Sequence, residues 1–449
     1  MLNALANVFR IAELRARLFY TLSLLAVYRV GIFISTPGVN RAALTALMSE
    51  QKKNGSLVNL FNLFSGGALE QMSIFGLGIM PYVSASIIMQ LLAVVVPTFE
   101  RLQKEGANGR QKLNQYTRYL SIVISVVQGV GIARGLASAG RTPNGHGIFG
   151  SFNQIVVPHD NFWFTALTVI SLTAGTAFIM WLGERITENG IGNGISLIIF
   201  AGIVARIPSQ VRSVYEMTAQ DVLNPAMVLG MLFFMLLMVA AVVFVERGMR
   251  RIPIQYAKRM AGRQMFAGQA TYFPMKVNMA GVIPPIFASA LLSFPATLGT
   301  WLPFLNGVNS VLNRSSWIFN GIYVLLIVFF TYFYTSLTFK ADDVADNIKK
   351  QGGYIPSVRP GRQTADYISR VLNRVTFGGA IYLSAVCVVP NILGGNLSGL
   401  RFGGTALLIV VGVALDTVQQ IEGHLISRNY EGFSGPRGPR IRGRIRAAA

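Results

Sequence analysis

The sequence predicts an all-α polytopic membrane protein with ten transmembrane helices. Of its 449 residues, 52% are hydrophobic and only 13% are charged, which is too few charges for a soluble globular protein of this length. Ten apolar segments approach the roughly 20 residues of helix that the hydrocarbon core of a bilayer requires. An even number of crossings places both termini on the same side. The segments cover approximately residues 18–36, 75–97, 116–138, 162–182, 194–213, 225–245, 274–303, 317–339, 372–392 and 403–421.

The chain divides into four parts around these segments. Residues 1–17 alternate apolar and charged side chains at helical spacing, which predicts an amphipathic surface helix and no cleaved signal peptide. Five segments then form an N-terminal half, 18–213, and five more form a C-terminal half, 225–421. The tail, 422–449, becomes rich in Gly, Pro and Arg and predicts a flexible basic segment near anionic lipid or ribosomal RNA.

The second apolar segment follows a shorter apolar piece that cannot cross a membrane. This piece, 57–69, has about thirteen residues and contains a Ser65-Gly66-Gly67 break. The next piece, 76–96, is uncharged over 21 residues and can span, with Pro81 predicting a kink. A discontinuous helix at membrane depth is tolerated only where it is packed in protein or lines a cavity. The break therefore indicates a pathway through the protein.

The basic residues lie mostly on one predicted side of the membrane. Of the 39 Lys and Arg residues, 29 fall in the N-terminal part, the tail and the loops after segments 2, 4, 6 and 8, and 9 fall in the opposite loops. The positive-inside rule then predicts that both termini are cytoplasmic. The net charge of +21 is explained mainly by this topology, so nucleic-acid binding is the weaker explanation.

The sequence contains none of the usual catalytic, metal or nucleotide motifs. The single cysteine, Cys387, lies in an apolar run, which excludes an intramolecular disulfide and favours a buried core residue. The three histidines are isolated, and no acidic or cysteine cluster has metal-ligand spacing. The run IGNGIS at 191–196 favours a tight turn that opens a membrane helix over a phosphate cradle. We therefore expect no enzymatic activity and no cofactor.

Two predicted cytoplasmic loops, 246–276 and 340–374, are longer and more basic than topology requires. The first alternates basic residues with aromatic or β-branched ones, which is typical of a hairpin presented to an acidic partner. The second carries Val358-Arg359-Pro360-Gly361 at its tip. Partner docking and simple solvation of charge are both consistent with these patterns.

A secondary transporter of a small solute is the alternative function, because broken helices and two five-segment halves also describe inverted-repeat carriers. Coupled carriers usually place ionisable residues near the bilayer midplane. Here Glu184, Glu246 and Glu422 lie at segment ends, and among the acidic residues only Asp416 lies inside a segment. The apolar interior therefore favours a channel. Spacing alone does not distinguish pore-lining isoleucines from lipid-facing ones.

Seven stretches, spread over nearly the whole chain, resemble the SecY family, the channel-forming subunits of the bacterial protein translocon. They are SGGAL, LGIMPYVSASIIMQLL, WLGERITENGIGNGIS, VFVERGMRRIPIQYAKR, KVNMAGVIPPIFAS, SVRPGRQTADYI and FGGTALLIVV. The resemblance implies two pseudo-symmetric five-helix halves around a central pore. It also implies conduction of unfolded polypeptides across the bacterial inner membrane and lateral release of hydrophobic segments into the bilayer.

The same resemblance implies three sets of functional residues. An apolar pore ring would resist ion flow by dewetting without sequence-specific hydrogen bonds, and its members are Ile79, Val83, Ile195, Ile199, Ile286 and Ile409. The piece 57–69 would be a plug helix in the outer funnel, including Leu57, Asn59, Asn62, Phe64, Ser65, Gly66 and Gly67. Segments 2 and 7 would form a lateral gate near Ser84, Gln128, Asn278 and Phe294, although simple helix packing is an alternative for the polar members.

The resemblance also implies partners. These are SecE and SecG in a heterotrimer, the motor ATPase SecA, the ribosome, signal sequences with their nascent polypeptides, and the phospholipid bilayer. The loops 246–276 and 340–374 would contact the ribosome and SecA. Arg359 matches the loop arginine of the family. Arg263 is followed by Gln264, where the family often has a second arginine, so only Arg263 is carried over as a docking residue.

Overall fold

A computed structural model describes residues 11–54, 62, 65–138, 156–157, 161–221, 224–256, 259–261, 264–266, 270–298, 317–395 and 403–434. Within them the chain forms fourteen helices and five short strands. The helices are α1 (Ala12–Ile32), α2 (Arg41–Asn54), α3 (Met80–Val95), α4 (Pro97–Lys104), α5 (Ala107–Ser138), α6 (Phe162–Asn189), α7 (Gly194–Val204), α8 (Ile207–Ala219), α9 (Pro225–Glu246), α10 (Ile283–Leu298), α11 (Trp317–Thr338), α12 (Ala341–Lys350), α13 (Arg362–Gly395) and α14 (Gly404–Ser434). The strands are β1 (Met249–Tyr256), β2 (Arg259–Ala261), β3 (Gln264–Phe266), β4 (Ala270–Lys276) and β5 (Gly353–Tyr354).

Within the described residues, each predicted apolar segment overlaps a helix or a pair of consecutive helices. In the described part of the chain, seven such stretches are long and apolar enough to span a membrane by themselves, or eight if the bent pair α3–α4 is one span. The segments that fall short do so for physical reasons: α1 carries three arginines, while α3 and α10 have 16 residues each. The predominantly helical membrane fold is thus confirmed, and the count of ten crossings stays a prediction.

The prediction of a helix kink at Pro81 is wrong. Residues 74–79 form turns, including Gly78 at φ +57°, and α3 begins only at Met80. Pro81 therefore lies in the first helical turn, where its missing N–H is not needed for a helical hydrogen bond. The sharp bend occurs at the other end of the helix, where Pro97 opens α4 at 99° to α3.

Two predicted boundaries fall inside continuous helices. Helix α1 begins at Ala12 and runs past residue 17, so the described part of the N-terminal segment is continuous with the first apolar segment. Helix α14 continues beyond residue 421 to Ser434. The sequence explains the second difference, because residues 422–431 contain no Pro, and the Gly- and Pro-rich composition begins only at Gly432.

The tight turn predicted from IGNGIS is present between α6 and α7. Gly192 adopts φ +89°, and the side chain of Asn193 caps α7 by accepting a 3.1 Å hydrogen bond from the backbone N–H of Ile195. A Cβ at Gly194 would collide with the carbonyl oxygen of Gly183. Glycine at 194 therefore permits α7 to pack closely against α6.

The loop 246–276 forms the predicted hairpin. Strands β1 and β4 pair antiparallel from Met249 opposite Lys276, and β5 pairs with the other edge of β1. Alternation along β1 buries Ile252 and Ile254 and exposes their neighbours. A separate apolar cluster joins this sheet to α12 and α13, and its buried members are Ile252, Ile254, Met275, Ile348, Ile355, Ile368 and Leu372.

The main hydrophobic core runs through both predicted halves of the chain. Cys387 is buried within it, as the sequence predicts. Helix α3 packs against α5 and α10, and α7 packs against α6 and α14. The two halves therefore meet along α3–α10 and α7–α14, and these contacts position the candidate site.

Candidate functional site

The six predicted ring residues come from both halves and share one apolar core. Ile79 immediately precedes α3, and its carbonyl oxygen accepts a 3.1 Å hydrogen bond from the N–H of Val83 in the first turn. Five of the six are buried, and the partly buried Ile195 packs against the same core. The remaining members lie on α7, α10 and α14 and are Ile199, Ile286 and Ile409. The six residues therefore belong to one core, although Ile79 and Ile409 are 330 positions apart in the sequence.

The described part of the predicted plug consists of Asn62 and residues 65–69. Asn62 and Ser65 are almost fully buried. The Asn62 carbonyl oxygen accepts hydrogen bonds from the N–H of Gly67 at 3.0 Å and from the Ser65 hydroxyl at 3.3 Å. Residues 65–69 therefore form a compact turn that is tied to the Asn62 backbone. Three other residues of the predicted plug, Leu57, Asn59 and Phe64, lie outside the described residues.

Two glycines shape this turn by adopting the left-handed backbone conformation, with φ of +65° at Gly66 and +92° at Gly67. Gly66 also faces Gly202 of α7, and a Cβ added at Gly66 would lie 2.7 Å from the Gly202 Cα atom. Only a pair of residues without side chains permits this approach. The turn thereby lies directly against α7, the helix that carries Ile195 and Ile199.

Polar side chains from outside the turn contact its carbonyl oxygens. The Tyr28 hydroxyl donates to Ser65 O at 3.3 Å, and Arg29 Nη1 donates to Gly66 O at 3.3 Å. Arg206, at the break between α7 and α8, donates from Nη1 to Asn62 O at 3.2 Å and pairs through Nη2 with Glu70 Oε1 at 3.4 Å. We refer to these three side chains, together with Glu70 at the end of the turn, as the clasp.

Three of the four predicted gate residues are buried, and they lie on or beside three different helices. Ser84 on α3, Gln128 on α5 and Asn278 before α10 are buried. Among the described residues no hydrogen bond joins these three. Instead, Asn278 Nδ2 donates to Glu246 Oε1 at 2.6 Å and to Gly281 O at 3.0 Å. Phe294 lies in α10 by its backbone, but its side chain lies outside the described part.

The predicted docking residue Arg359 is exposed in the loop that leads into α13. Ser357 at φ +68° and Gly361 at φ +104° shape this loop, and Thr364 Oγ1 donates to the Arg359 carbonyl oxygen at 2.9 Å. The Arg359 backbone is thus fixed while its side chain faces solvent. Arg263, in the other loop, lies outside the described residues.

Sequence comparison decides the family. A family model described as SecY matches residues 73–418, which is most of the chain. The chain belongs to the SecY family. "Protein translocase subunit SecY" of Mycobacterium tuberculosis (strain ATCC 25618 / H37Rv) is 45% identical over 451 residues, covering 96% of this chain and 100% of that protein. The SecY of Escherichia coli (strain K12) is 46% identical over 428 residues, covering 94% of each chain.

Solved structures share the SecY fold with this chain. "The structure of a protein conducting channel" matches with a TM-score of 0.66 at 16% identity and covers 93% of this chain and 94% of that one. "Sec61 in the Canine ribosome-channel complex from the endoplasmic reticulum" matches with a TM-score of 0.62 at 17% identity and the same coverage. The predictions of a SecY family member, of a channel fold and of a protein translocase subunit that is not an enzyme are confirmed. The transporter alternative is set aside.

Sequence reasoning missed the clasp and the Asn278–Glu246 contact. Arg29 offered a signal, because a lone arginine within an apolar membrane segment usually has a partner and a function. The Asn278–Glu246 contact also had a signal in the sequence, because a hairpin predicted over 246–276 must bring its two ends together. The structure shows this closure in the 3.0 Å hydrogen bond from Val277 N to Gly248 O. Nothing in the sequence near Arg206 indicates that it contacts Asn62 and Glu70.

Proposed function

We propose that this chain forms the central channel of a protein translocase in the bacterial inner membrane. Unfolded polypeptides would pass between its two five-helix halves, and hydrophobic segments would leave between α3 and α10. The observation that carries this proposal is that one apolar core spans both halves, and that the helix pairs that contact each other across the halves carry or adjoin six apolar residues of this core: Ile79, Val83, Ile195, Ile199, Ile286 and Ile409. An apolar constriction excludes water and ions yet makes no demand on the sequence of the passing chain.

The residues around this constriction take defined roles in the proposal. The piece 57–69 is the plug, with Leu57, Asn59, Asn62, Phe64, Ser65, Gly66 and Gly67, and it seals the outer funnel below the ring. The close packing of the described glycine turn against α7 supports this position. Helices α3 and α10 form the lateral gate, with Ser84, Gln128, Asn278 and Phe294 near its contact. Uncharged polar groups suit a contact that must open, because each interhelical hydrogen bond in a membrane contributes only about 0.6–2 kcal/mol.

The proposal includes partners and an orientation. SecE and SecG would complete a heterotrimer, and SecA or a ribosome would dock on the cytoplasmic loops 246–276 and 340–374, which carry Arg263 and Arg359. A structural neighbour described as a ribosome-channel complex supports the ribosome as a partner. The excess of basic residues in these loops, in the N-terminal part and in the tail supports cytoplasmic termini.

The ring is tested by wetting the constriction. Replacing Ile79, Ile199 and Ile409 together by Ser should raise the resting ion conductance of the reconstituted channel in planar bilayers, because hydroxyl groups retain water in a narrow apolar passage. Ile327→Ser provides the matched control, since Ile327 lies equally buried in the same core on α11 but outside the proposed ring. Equal conductance of the ring variant and wild type, with residues 57–69 also deleted, would overturn the assignment.

A further inference from the structure

The glycine turn of the proposed plug, residues 65–70 together with Asn62, is held by side chains from two separate elements. Tyr28 and Arg29 reach it from α1, and Arg206 reaches it from the junction of α7 and α8. All of these donors bond to backbone carbonyl oxygens of the turn. The position of the turn therefore depends on polar contacts from its surroundings as well as on apolar burial.

Arg206 joins the two ends of the turn. One guanidinium nitrogen donates to the Asn62 carbonyl oxygen at 3.2 Å, and the other pairs with the Glu70 carboxylate at 3.4 Å. The Arg206 and Glu70 side chains are only 19% and 24% exposed, so water screens this pair less than it screens surface pairs. A planar guanidinium suits such a bridge because its donors have a fixed geometry.

The break in the helix explains how Arg206 reaches the turn. Helix α7 ends at Val204, and α8 begins at Ile207 with Pro208 in its first turn, where no helical N–H is required. Arg206 occupies the cap position between the two helices. The contact of Gly66 with Gly202, one turn earlier on α7, brings the carbonyl oxygens within reach of this guanidinium.

The observed position of the turn also buries a polar atom that water could reach if the turn were released. The side-chain Oδ1 of Asn62 is buried and accepts no hydrogen bond from the described residues. Water would satisfy this oxygen once the turn left its site, and water would also solvate the Arg206 and Glu70 charges. A polar clasp is therefore stable in a dry closed channel and weaker in a wet open one.

We propose that Arg206, together with Glu70 and Arg29, is the latch that holds the plug closed and releases it when the channel fills with water. This inference rests on the proposed function, in which residues 57–69 are the plug. Arg206 is a positioning residue in this proposal, because its contacts are with the backbone of Asn62 and with Glu70 of the turn. The Arg206–Glu70 pair would make the closed state of this channel more stable than apolar packing alone.

The latch is tested by the accessibility of the turn, measured independently of conduction. A single thiol is introduced by Ser65→Cys in a Cys387→Ser background, since Ser65 is fully buried and Cys387 is the only native cysteine. In this background, Arg206→Ala should raise the rate of reaction with a membrane-impermeant maleimide about tenfold or more, because it removes two hydrogen bonds from a charged donor. Arg212→Ala is the control, because Arg212 forms an exposed pair with Glu216 on α8.

Charge reversal separates a latch from general damage to the fold. Arg206→Glu alone should open the turn, and adding Glu70→Arg should restore slow labelling, because the reversed pair can form again across the same gap. If Arg206 variants fail to accumulate in the membrane, Glu70→Gln weakens the same contact from the other side and should also accelerate labelling. Unchanged labelling in Glu70→Gln and in a folded Arg206→Ala protein would overturn the latch.

Conductance measured on the same variants tells the two proposals apart. Faster labelling together with a raised resting conductance supports both the latch and the plug. Faster labelling with unchanged conductance supports the latch but shows that this segment is not the seal, which contradicts the proposed plug. Unchanged labelling contradicts the latch whatever the conductance.

Discussion

Asn278 Nδ2 donates a 2.6 Å hydrogen bond to Glu246 Oε1, which joins the end of α9 to the segment leading into α10. The same amide group donates to the carbonyl oxygen of Gly281 at 3.0 Å. Glu246 precedes β1 and Asn278 follows β4, so this contact closes the base of the hairpin 246–276 where it meets the membrane helices. A movement of the hairpin would therefore be transmitted to the start of α10, one side of the proposed gate.

This contact predicts a measurable loss of stability. Asn278→Ala should lower the free energy of unfolding by about 1.5–3 kcal/mol, because it leaves the partly buried Glu246 carboxylate without this hydrogen bond. Heat-induced unfolding of the purified protein in detergent measures the change. Gln419→Ala is the matched control, since Gln419 accepts an exposed hydrogen bond from Lys276, and it should change stability by less than about 0.5 kcal/mol.

The approach of Gly202 to Gly66 predicts a position where one methyl group should open the channel. A Cβ at Gly202 would lie 3.0 Å from the Gly66 Cα atom, so Gly202→Ala should displace the glycine turn and destabilise its closed position by about 1–3 kcal/mol. Resting conductance should rise accordingly.

Gly230→Ala is the control for this prediction. Gly230 is also helical, but a Cβ there would meet nothing within 4 Å, so the alanine should stabilise α9 by up to about 1 kcal/mol. If the resting conductance of Gly202→Ala were no higher than that of Gly230→Ala, the prediction would be wrong, because the turn would have accommodated the methyl group while the channel stayed sealed.

The clasp shows which parts of the site lie beyond the reach of the sequence. Helices were predictable because long apolar segments have few alternatives in a membrane, and the hairpin was predictable because alternation along β1 has period two. Arg206 and Asn62 are 144 positions apart, and no local pattern relates an arginine to a distant backbone carbonyl oxygen. Pro81 failed as a kink signal for a different reason, because proline also favours a first helical turn, and the turns before Met80 decided between these roles.

The charge asymmetry predicts the orientation of the loops. The test uses two single-cysteine variants in a Cys387→Ser background. One cysteine replaces Lys350, at the end of α12, and the other replaces Arg314, in the predicted loop after segment 7. The two cysteines should react with impermeant reagents from opposite sides of the membrane. Lys350 should react from the cytoplasmic side. Reaction of both positions from the outer side would contradict the predicted topology.

The exposed Arg359 side chain predicts a docking defect without a folding defect. Arg359→Glu should slow motor-driven export about tenfold at low salt, because reversing a charge at an interface affects the rate of association most strongly. The loop should keep its shape, since its bond from Thr364 involves only the Arg359 backbone. Export assays at low and physiological salt measure the docking defect, and thermal unfolding checks that the protein is folded.

Lys349→Glu is the control, because it reverses an equal charge on the neighbouring helix α12. An equal export defect in Lys349→Glu would indicate a general effect of charge.

Helices α3 and α10 must separate if hydrophobic segments leave between them, and this predicts that a covalent bridge blocks function. Cysteines at Ser84 on α3 and Phe294 on α10, with Cys387 removed, should form a disulfide only if their Cα atoms approach within roughly 7 Å, so its formation tests the closed contact. A helix about 10 Å wide cannot pass between segments held at that distance. The oxidised protein should therefore lose both secretion and membrane insertion, and reduction should restore both.

The Ser84→Cys single variant, treated with the same oxidant, should stay active. Full activity of a protein shown by mass spectrometry to be completely bridged would place the exit path elsewhere.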